Sequence, residues 1–505
     1  MRMGALLSVA VVHLQPVRCC SFVVANFNVT ATAAWPKANY YNSRRGPDAT
    51  NIVSAQDWIF VHNLLSITGV HTLQPFVSAD GQVIAMFNGE IYNYRALAQQ
   101  LTGYEDSFSS DGFVLQPAYA RWGLSFVMRL HGEFALAVLD LRKRLLLLST
   151  DVFGTKPMWF ASWHHEGALR FVAATYESVL YELGAPEVAH TMAQPNQALV
   201  MELQGDRPGT PNVAAPRIRL PIVVFDLRQH KLHTRDWMAA FKDAVALRTA
   251  RLKHRAFIGL SAGYDSGAIA LALLQQGRPF LALSVRARED MAVVRARRRS
   301  LTPMAECTEV LLTPADFMAE KRFLQRHCEP FHYVMHQARL RRGHREKLVS
   351  EDKSAIGLSA VLRLARPHGG LIYLSGTGAD EIISDYAMDG KKIFSHSCFG
   401  GIFPENLSKV FPWCNFFLGS QRSYLMKEEL TAGAHGIEGR YPFLDPKVVQ
   451  EYLWLHHSVK NSEYKRPVAD YLRESGFPNA WKVKVGFSAN HNLLRSGRGT
   501  VHRSF

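Results

Sequence analysis

Residues 259–267 read GLSAGYDSG and stand between an apolar run at 256–260 and a helical pattern through 268–274. A strand that empties into a glycine-bearing turn and then a helix is the unit of a parallel, doubly wound sheet. Such a sheet binds its ligand at the carboxyl ends of the strands. Gly263 permits the tight turn, the hydroxyls of Ser261 and Ser266 and the turn amides can wrap a phosphate, and the next helix offers its N-terminus to the same anion. Asp265 inside an anion-binding loop makes sense once a metal bridges it to the phosphates. No Gly-Lys-Ser/Thr follows, so the loop is not of the Walker A type. A second short apolar run at 371–374 leads into LSGTGADE at 374–381, which sets Gly376 and Asp380 at the end of another strand of the same sheet. Either aspartate alone would suit a buried structural acid. As a pair, Asp265 and Asp380 can share Mg²⁺ with a pyrophosphate leaving group.

The rest of the chain is organised around that unit. Its 505 residues exceed one compact core and call for two large domains or three small ones. With 48% hydrophobic and 20% charged residues it has the material for real cores, which excludes disordered and collagenous classes. Six cysteines form neither a disulfide framework nor a zinc knuckle, so a reducing compartment is expected. The net charge of +15 suits anionic partners, from small phosphorylated or carboxylated substrates to nucleic acid. The dense basic runs at 286–299 and 339–347 carry no interleaved aromatics, so they read as solvated helix faces or loops rather than a base-stacking surface.

Residues 20–203 alternate short strand-like runs (21–29, 58–61, 83–87, 134–139, 145–149) with helices at 95–101 and 112–122, an α+β texture. The Pro/Gly-rich stretch QGDRPGTPNVAAP at 204–216 opens a linker that we carry to 235. From 236 to 505 strands alternate with helices: a helix at 237–251, strands at 256–260, 280–285 and 371–374. Residues 1–19 stand apart. Their apolar stretch at 4–14 is too short to span a bilayer; it resembles the core of a weak signal peptide, or is an extension upstream of the true start.

As an S-x-G-x-D-S loop, 261–266 resembles the pyrophosphate loop of N-type ATP pyrophosphatases, which cleave ATP to AMP and pyrophosphate. SAGYDSG, LSGTGADE and HGIEGRYPFLD (435–445) together resemble, in order and spacing, three signatures of the asparagine synthetase family. WKVKVGFS (481–488) is similar to a fourth segment, with Lys484 where the family carries a lysine that stabilises charge on the phosphates and the tetrahedral intermediate. In the first half, FNGEIYNY (87–94) resembles the family's glutaminase signature, so Asn88 and Gly89 would form the oxyanion hole. Glu90 and Asp111 match the acids that hold glutamine's α-amino group; RRGPD (44–48) and DVFGTKP (151–157) resemble two further family stretches, with Arg44 in place of a histidine.

The resemblance implies an N-terminal-nucleophile αββα glutaminase (class II glutamine amidotransferase) at 20–203, then an α/β doubly wound ATP-pyrophosphatase domain at 236–505. It implies ATP and Mg²⁺ as cofactors and a ligase that turns aspartate, glutamine and ATP into asparagine, glutamate, AMP and pyrophosphate. A class II glutaminase needs a cysteine whose own free α-amine is the base. Cys20 opens the matching strand and is the expected nucleophile, with Cys19 second. Either residues 1–19 are removed or lie outside the true gene, and Cys20 acts, or the extension stays and the glutaminase is dead.

Two further residues depart from the family pattern. Leu64 stands where an arginine would pair with glutamine's α-carboxylate, a loss of about 1.5–3 kcal/mol unless Arg44 or Arg45 compensates; Arg45 is the expected glutamine-binding residue. Thr377 replaces a glutamate that handles protons during amide formation, and a threonine cannot act as that base. The rivals are an amide ligase for another acid using ammonia or an amine, and a degenerate scaffold of the same fold. The expected partners are small molecules, with a homodimer left open and neither nucleic acid nor membrane expected. The expected location is cytoplasmic, or organellar or secretory if 1–19 are a cleaved targeting segment.

Overall fold

The computed structural model describes residues 10–12, 20–68, 71–101, 108–204, 210–211, 216–286, 289–335 and 345–481. Cys19 and Lys484 lie outside the described residues, as does most of the basic run at 339–347.

The first half stacks two seven-stranded antiparallel sheets. One runs, edge to edge, Ala10–Val12, Ala49–Ala55, Trp58–Leu64, Ser21–Ala25, Ala168–Ala174, Trp159–His165 and Thr191–Met192. The other is built around Val83–Ile91, Gly132–Asp140, Leu145–Thr150 and Gln197–Gln204. Alternate residues of both meet in one apolar layer: Phe22, Val24, Trp58 and Phe60 from the first against Ile84, Met86, Leu146 and Leu148 from the second. The intervening residues, among them Val23, Val61, Ala85 and Leu147, are also buried, against the outer helices. Burial on both faces is why the strand Leu145–Thr150 opens with four consecutive leucines, Leu145–Leu148, rather than alternating. The αββα expectation matches this layering.

In the second half five strands pair in parallel, in the order Ala305–Val310, Phe280–Val285, Arg255–Gly259, Gly370–Leu374, Glu438–Arg440. Chain order therefore reverses between Arg255–Gly259 and Gly370–Leu374, and a crevice opens outside their carboxyl ends. Both candidate turns, 260–263 and 375–378, leave the sheet there. The predicted strand at 280–285 is found over the same residues. The predicted strand at 83–87 runs on to Ile91, carrying the glutaminase signature into the sheet.

The largest core cluster is continuous between the halves, and ion pairs bind them further. Glu429, on the helix Gly419–Ala434, is fully buried and accepts from Arg45 through Nη2, from Lys156 Nζ at 2.9 Å and from the Tyr441 hydroxyl at 2.8 Å. Lys156 also donates to the Gly439 carbonyl. Nearby, Arg248 bridges Glu133 (2.6 Å) and Asp445 (2.9 Å), and His131 reaches the same Asp445 oxygen.

One feature corrects the cysteine reading: Cys398 and Cys414 form a disulfide. It ties the segment after Asp385, whose carboxylate also receives the amides of Cys398 and Phe399. A second correction concerns the run at 286–299. Most of it forms a helix, Met291–Leu301, but Arg297 in that helix is completely buried. Among the described residues no helix is long and apolar enough to cross a membrane.

Glu429→Ala leaves Arg45 and Lys156 buried without their carboxylate, and should cost about 3–5 kcal/mol in urea unfolding. The cationic partners hold the Glu429 carboxyl below its ordinary value despite burial. Its folded pKa is thus below the unfolded one, so its contribution is present above about pH 4.3 and drains as acid carries the pH through the depressed value. The deficit of the variant relative to wild type should accordingly shrink on acidification.

Candidate active site

The turn after Arg255–Gly259 is built by its own hydroxyls. The Ser261 and Ser266 hydroxyls lie 2.8 Å apart, the Ser261 amide donates to Ser266 Oγ at 3.1 Å, and the Gly263 amide donates to Ser261 Oγ at 3.1 Å. The helix Tyr264–Gln275 starts directly behind it. Arg297 braces the loop from below, donating to the carbonyls of Ser261 (2.5 Å) and Gly263 (2.8 Å), to Pro478 O and to Asn479 Oδ1. With its carbonyls tied back, the turn brings the Ser261 and Ser266 hydroxyls to the crevice, while the amides of Ser261, Ala262 and Gly263 are taken up by Ser266 Oγ, Glu289 and Ser261 Oγ. Gly267 makes room for this brace, because a methyl there would run into the guanidinium. Burial draws the Arg297 guanidinium down to about 10.

Asp265 and Asp380 do meet. Their Oδ1 atoms share one cation, Lys465 Nζ, at 2.6 and 2.8 Å, and the Tyr464 hydroxyl adds a bond to Asp380 at 3.1 Å. Gly376 sits against Asp265, where a Cβ would come within 2.8 Å of the Asp265 Cβ. Lys465 is fully buried and holds a left-handed backbone, φ +47°, a conformation a lysine adopts at a cost. Sequence reasoning missed this residue. Its one local sign is a lysine at the N-cap of the helix Arg466–Glu474, where Ser, Thr, Asp or Asn would be usual. These groups line a cavity of about 400 Å³ together with Ser261, Gly263, Ser266, Gly376 and Thr377. Among the described residues no group of three or more His, Cys, Asp or Glu could hold a metal unaided. Two carboxylates fit a hard divalent cation that completes its shell with phosphate oxygens and water.

The other constellation surrounds Cys20, just ahead of the strand Ser21–Ala25. Its sulfur accepts from the Leu65 amide at 3.1 Å and faces the Leu65 carbonyl at 3.4 Å. Burial pushes the thiol well above its ordinary value, and the Glu438, Glu90 and Asp111 carboxylates push it the same way. Such a sulfur needs an adjacent base to become a nucleophile. While residue 19 is attached, the Cys20 nitrogen is a peptide amide and offers none.

Asn88 is 2% exposed, and its Nδ2 has no hydrogen-bond partner. A buried donor left unmatched costs about 1–3 kcal/mol, so it is waiting for an acceptor. Gly89 takes φ +121°, and any side chain there would strike the Glu133 carbonyl. Asp111 accepts from the Ile91 amide (2.8 Å) and the Gly112 amide (3.0 Å). Glu90 accepts from Thr68 Oγ1 (2.9 Å) and from Arg440 Nη2 (2.8 Å), a residue of the HGIEGRYPFLD segment. Burial raises both carboxyls above their ordinary range, in Glu90 despite Arg440.

Arg45 is a correction. Rather than facing a ligand, its guanidinium is buried against Glu429 and the Cys20 carbonyl (3.0 Å). Arg44 likewise turns to the other half, donating to the Ala434 carbonyl and lying over the Phe323 ring. Neither replaces the arginine missing at Leu64, which is buried at the end of its strand.

The comparisons agree with this two-site plan. Residues 19–203 match the glutamine amidotransferase domain family, and residues 236–410 match asparagine synthase. The chain belongs to the asparagine synthetase family. Within that family it is 26% identical, over 424 residues, to a putative glutamine-hydrolyzing asparagine synthetase 1 of Methanocaldococcus jannaschii, covering 81% of this chain and 71% of that one. Glutamine-hydrolyzing asparagine synthetase 2 of Bacillus subtilis is 36% identical over 125 residues, and a putative glutamine-hydrolyzing asparagine synthetase of Mycobacterium tuberculosis is 34% identical over 145. These two alignments take in 17% and 22% of those relatives' lengths.

In this family member the shared lysine is testable on its own. Lys465→Met leaves two carboxylates facing each other in a half-closed crevice, and should lower stability at neutral pH by about 3 kcal/mol. Thermal melts of variant and wild type at pH 7.5 should show that deficit as a lower midpoint for the variant.

Proposed function

We propose that the chain is a glutamine-hydrolysing, ATP-dependent amide ligase that makes asparagine from aspartate. The observation that carries this reading is the meeting of Asp265, Asp380 and Lys465 beneath a hydroxyl-lined turn at the switch point of a parallel sheet.

In the glutaminase half, Cys20 Sγ attacks the amide carbon of glutamine once cleavage before residue 20 frees its amine to act as base. Asn88 Nδ2 and the Gly89 amide receive the oxyanion. Glu90 and Asp111 hold the α-ammonium group. In the synthetase half, the Ser261 and Ser266 hydroxyls on either side of Gly263, with the N-terminus of the helix Tyr264–Gln275, grip the ATP phosphates, and Gly376 gives Asp265 room beside them. Mg²⁺ would be held by Asp265 and Asp380, and supplies charge neutralisation at the phosphates. The acceptor carboxylate attacks the α-phosphorus, pyrophosphate leaves, and Lys484 steadies the charge that develops. Ammonia then displaces AMP from the acyl-adenylate. The cavity must exclude water, since the adenylate hydrolyses readily.

A second reading concerns the acceptor. Thr377 together with the rings of Tyr386, Phe394, His396 and Tyr424 in the cavity wall favours a carboxylic acid other than aspartate.

Pyrophosphate release from Mg-ATP decides between them, on the full chain and on protein beginning at Cys20, with aspartate and either glutamine or ammonium. Aspartate- and glutamine-dependent release by the trimmed form, with ammonium alone serving the full chain, is expected. No aspartate-dependent release from either form overturns asparagine synthesis. Asn88→Ala should lower glutamine-dependent turnover of the trimmed form by about 10²–10³-fold and leave ammonium-dependent turnover intact.

A further inference from the structure

The helix Gly419–Ala434 carries two adjacent acids, and successive helical side chains point about 100° apart. Glu429 points to the glutaminase half, where it holds Arg45 and Lys156. Glu428 points the other way and lines the cavity that holds Asp265, Asp380 and Lys465. Its Oε2 accepts from the Ser375 hydroxyl at 2.5 Å, and the Thr377 hydroxyl reaches the same carboxylate. Ser375 in turn accepts from the Thr377 amide at 3.0 Å. Both hydroxyls belong to the turn leaving Gly370–Leu374, so Glu428 puts a carboxylate beside the very position where Thr377 withholds one.

We propose that Glu428 is the proton acceptor of the amide-forming step, standing in from a different helix for the acid absent at position 377. The assignment rests on the ligase reading above. Ammonia's lone pair forms a bond to the carbonyl carbon of the acyl-adenylate, and the carbonyl electrons move onto oxygen. The nitrogen is then cationic, and the Glu428 carboxylate takes one of its protons. The carbonyl re-forms, the carbon–oxygen bond to AMP breaks with its electron pair on AMP, and Glu428 later returns the proton to solvent.

The other acids of the cavity are differently placed. Glu381 is bonded by the Gly378 amide and the Tyr386 hydroxyl, and Glu289 by the Ala262 amide of the phosphate turn. Glu428 is bonded by hydroxyls that can rotate, so it can exchange a proton without breaking backbone structure. Among the described residues, the charged and titratable groups around it are Lys427 and Glu429 on its own helix, with Tyr373 and Tyr441 from the sheet side. Burial raises its carboxyl above the ordinary value, which makes the ionised form a stronger base.

The test uses the full-length chain with Mg-ATP, and ammonium as nitrogen source so that the glutaminase is bypassed. Aspartate, glutamate, malonate and succinate serve as acceptors. Acid-dependent ATP–pyrophosphate exchange reports adenylation, and amide product reports the second step. For whichever acid the wild type accepts, Glu428→Gln should keep exchange within about threefold and lose amide formation by about 100-fold or more. It should also lose the acidic limb of the amide pH profile. Adding Thr377→Glu to that variant should restore at least tenfold of the lost rate. Amide formation by Glu428→Gln at the wild-type rate, or loss of exchange along with amide, overturns the assignment. Absence of acid-dependent exchange in the wild-type chain overturns the ligase reading instead, and is recognised because the variant is not needed to see it.

Discussion

A single buried carboxylate, Glu429, receives a guanidinium on one oxygen and an ammonium and a hydroxyl on the other, and most of what is special in this molecule hangs from it. Arg45 reaches it while also holding the Cys20 carbonyl, so the backbone at Cys20 is held by an arginine that Glu429 of the other half fixes in place. Lys156 reaches it while also holding the Gly439 carbonyl, which fixes the edge strand Glu438–Arg440 of the parallel sheet. Two charged donors around one acid would be expensive to bury separately. Together they are satisfied, and removing any one strands the others.

The same segment that Lys156 secures carries Arg440, which binds Glu90 beside Cys20, and leads to Asp445, which binds Arg248. Within one signature, Gly439, Arg440, Tyr441 and Asp445 thus bond to Lys156, Glu90, Glu133 and His131 of the first half, while Glu438–Arg440 pairs with the strand that leads into Ser375 and Thr377. On the nucleotide side, preorganisation is achieved by opposing charges. Arg297 ties down the carbonyls of the anion turn, and Lys465 keeps two carboxylates from repelling one another.

Much of the architecture was legible because it follows from short-range rules. Strand–Gly-turn–helix at 256–274 dictated the parallel sheet, and order and spacing of the motifs gave both halves. Asp265 and Asp380 come together on one lysine because each follows a strand of the same sheet. What stayed hidden was long-range. Arg45 read as a ligand-binding arginine because sequence cannot show Glu429, 384 residues away, closing on it. Arg297 read as part of a solvated basic run because a cluster of arginines looks alike whether one of them is buried or none is. Lys465 sits in no glycine-marked turn, and Cys398 with Cys414 is one pair among six cysteines with no framework to announce it. Glu428 was invisible for the same reason as Glu429, since its partners come from a distant turn.

The continuous core has a consequence for how such a chain can be divided. A Pro/Gly-rich connector between two halves suggests modules that could be cut apart, recombined or inherited independently. Here the apolar cluster runs without a break from one half to the other, and the ions at the join have their counter-charges across it. A fragment ending in the connector would bare Arg45, Lys156 and Glu133 to a solvent they were never arranged to meet. The connector is therefore a seam in the sequence but not in the folded object, and any gene fusion or split that respects only the seam separates groups that fold as one.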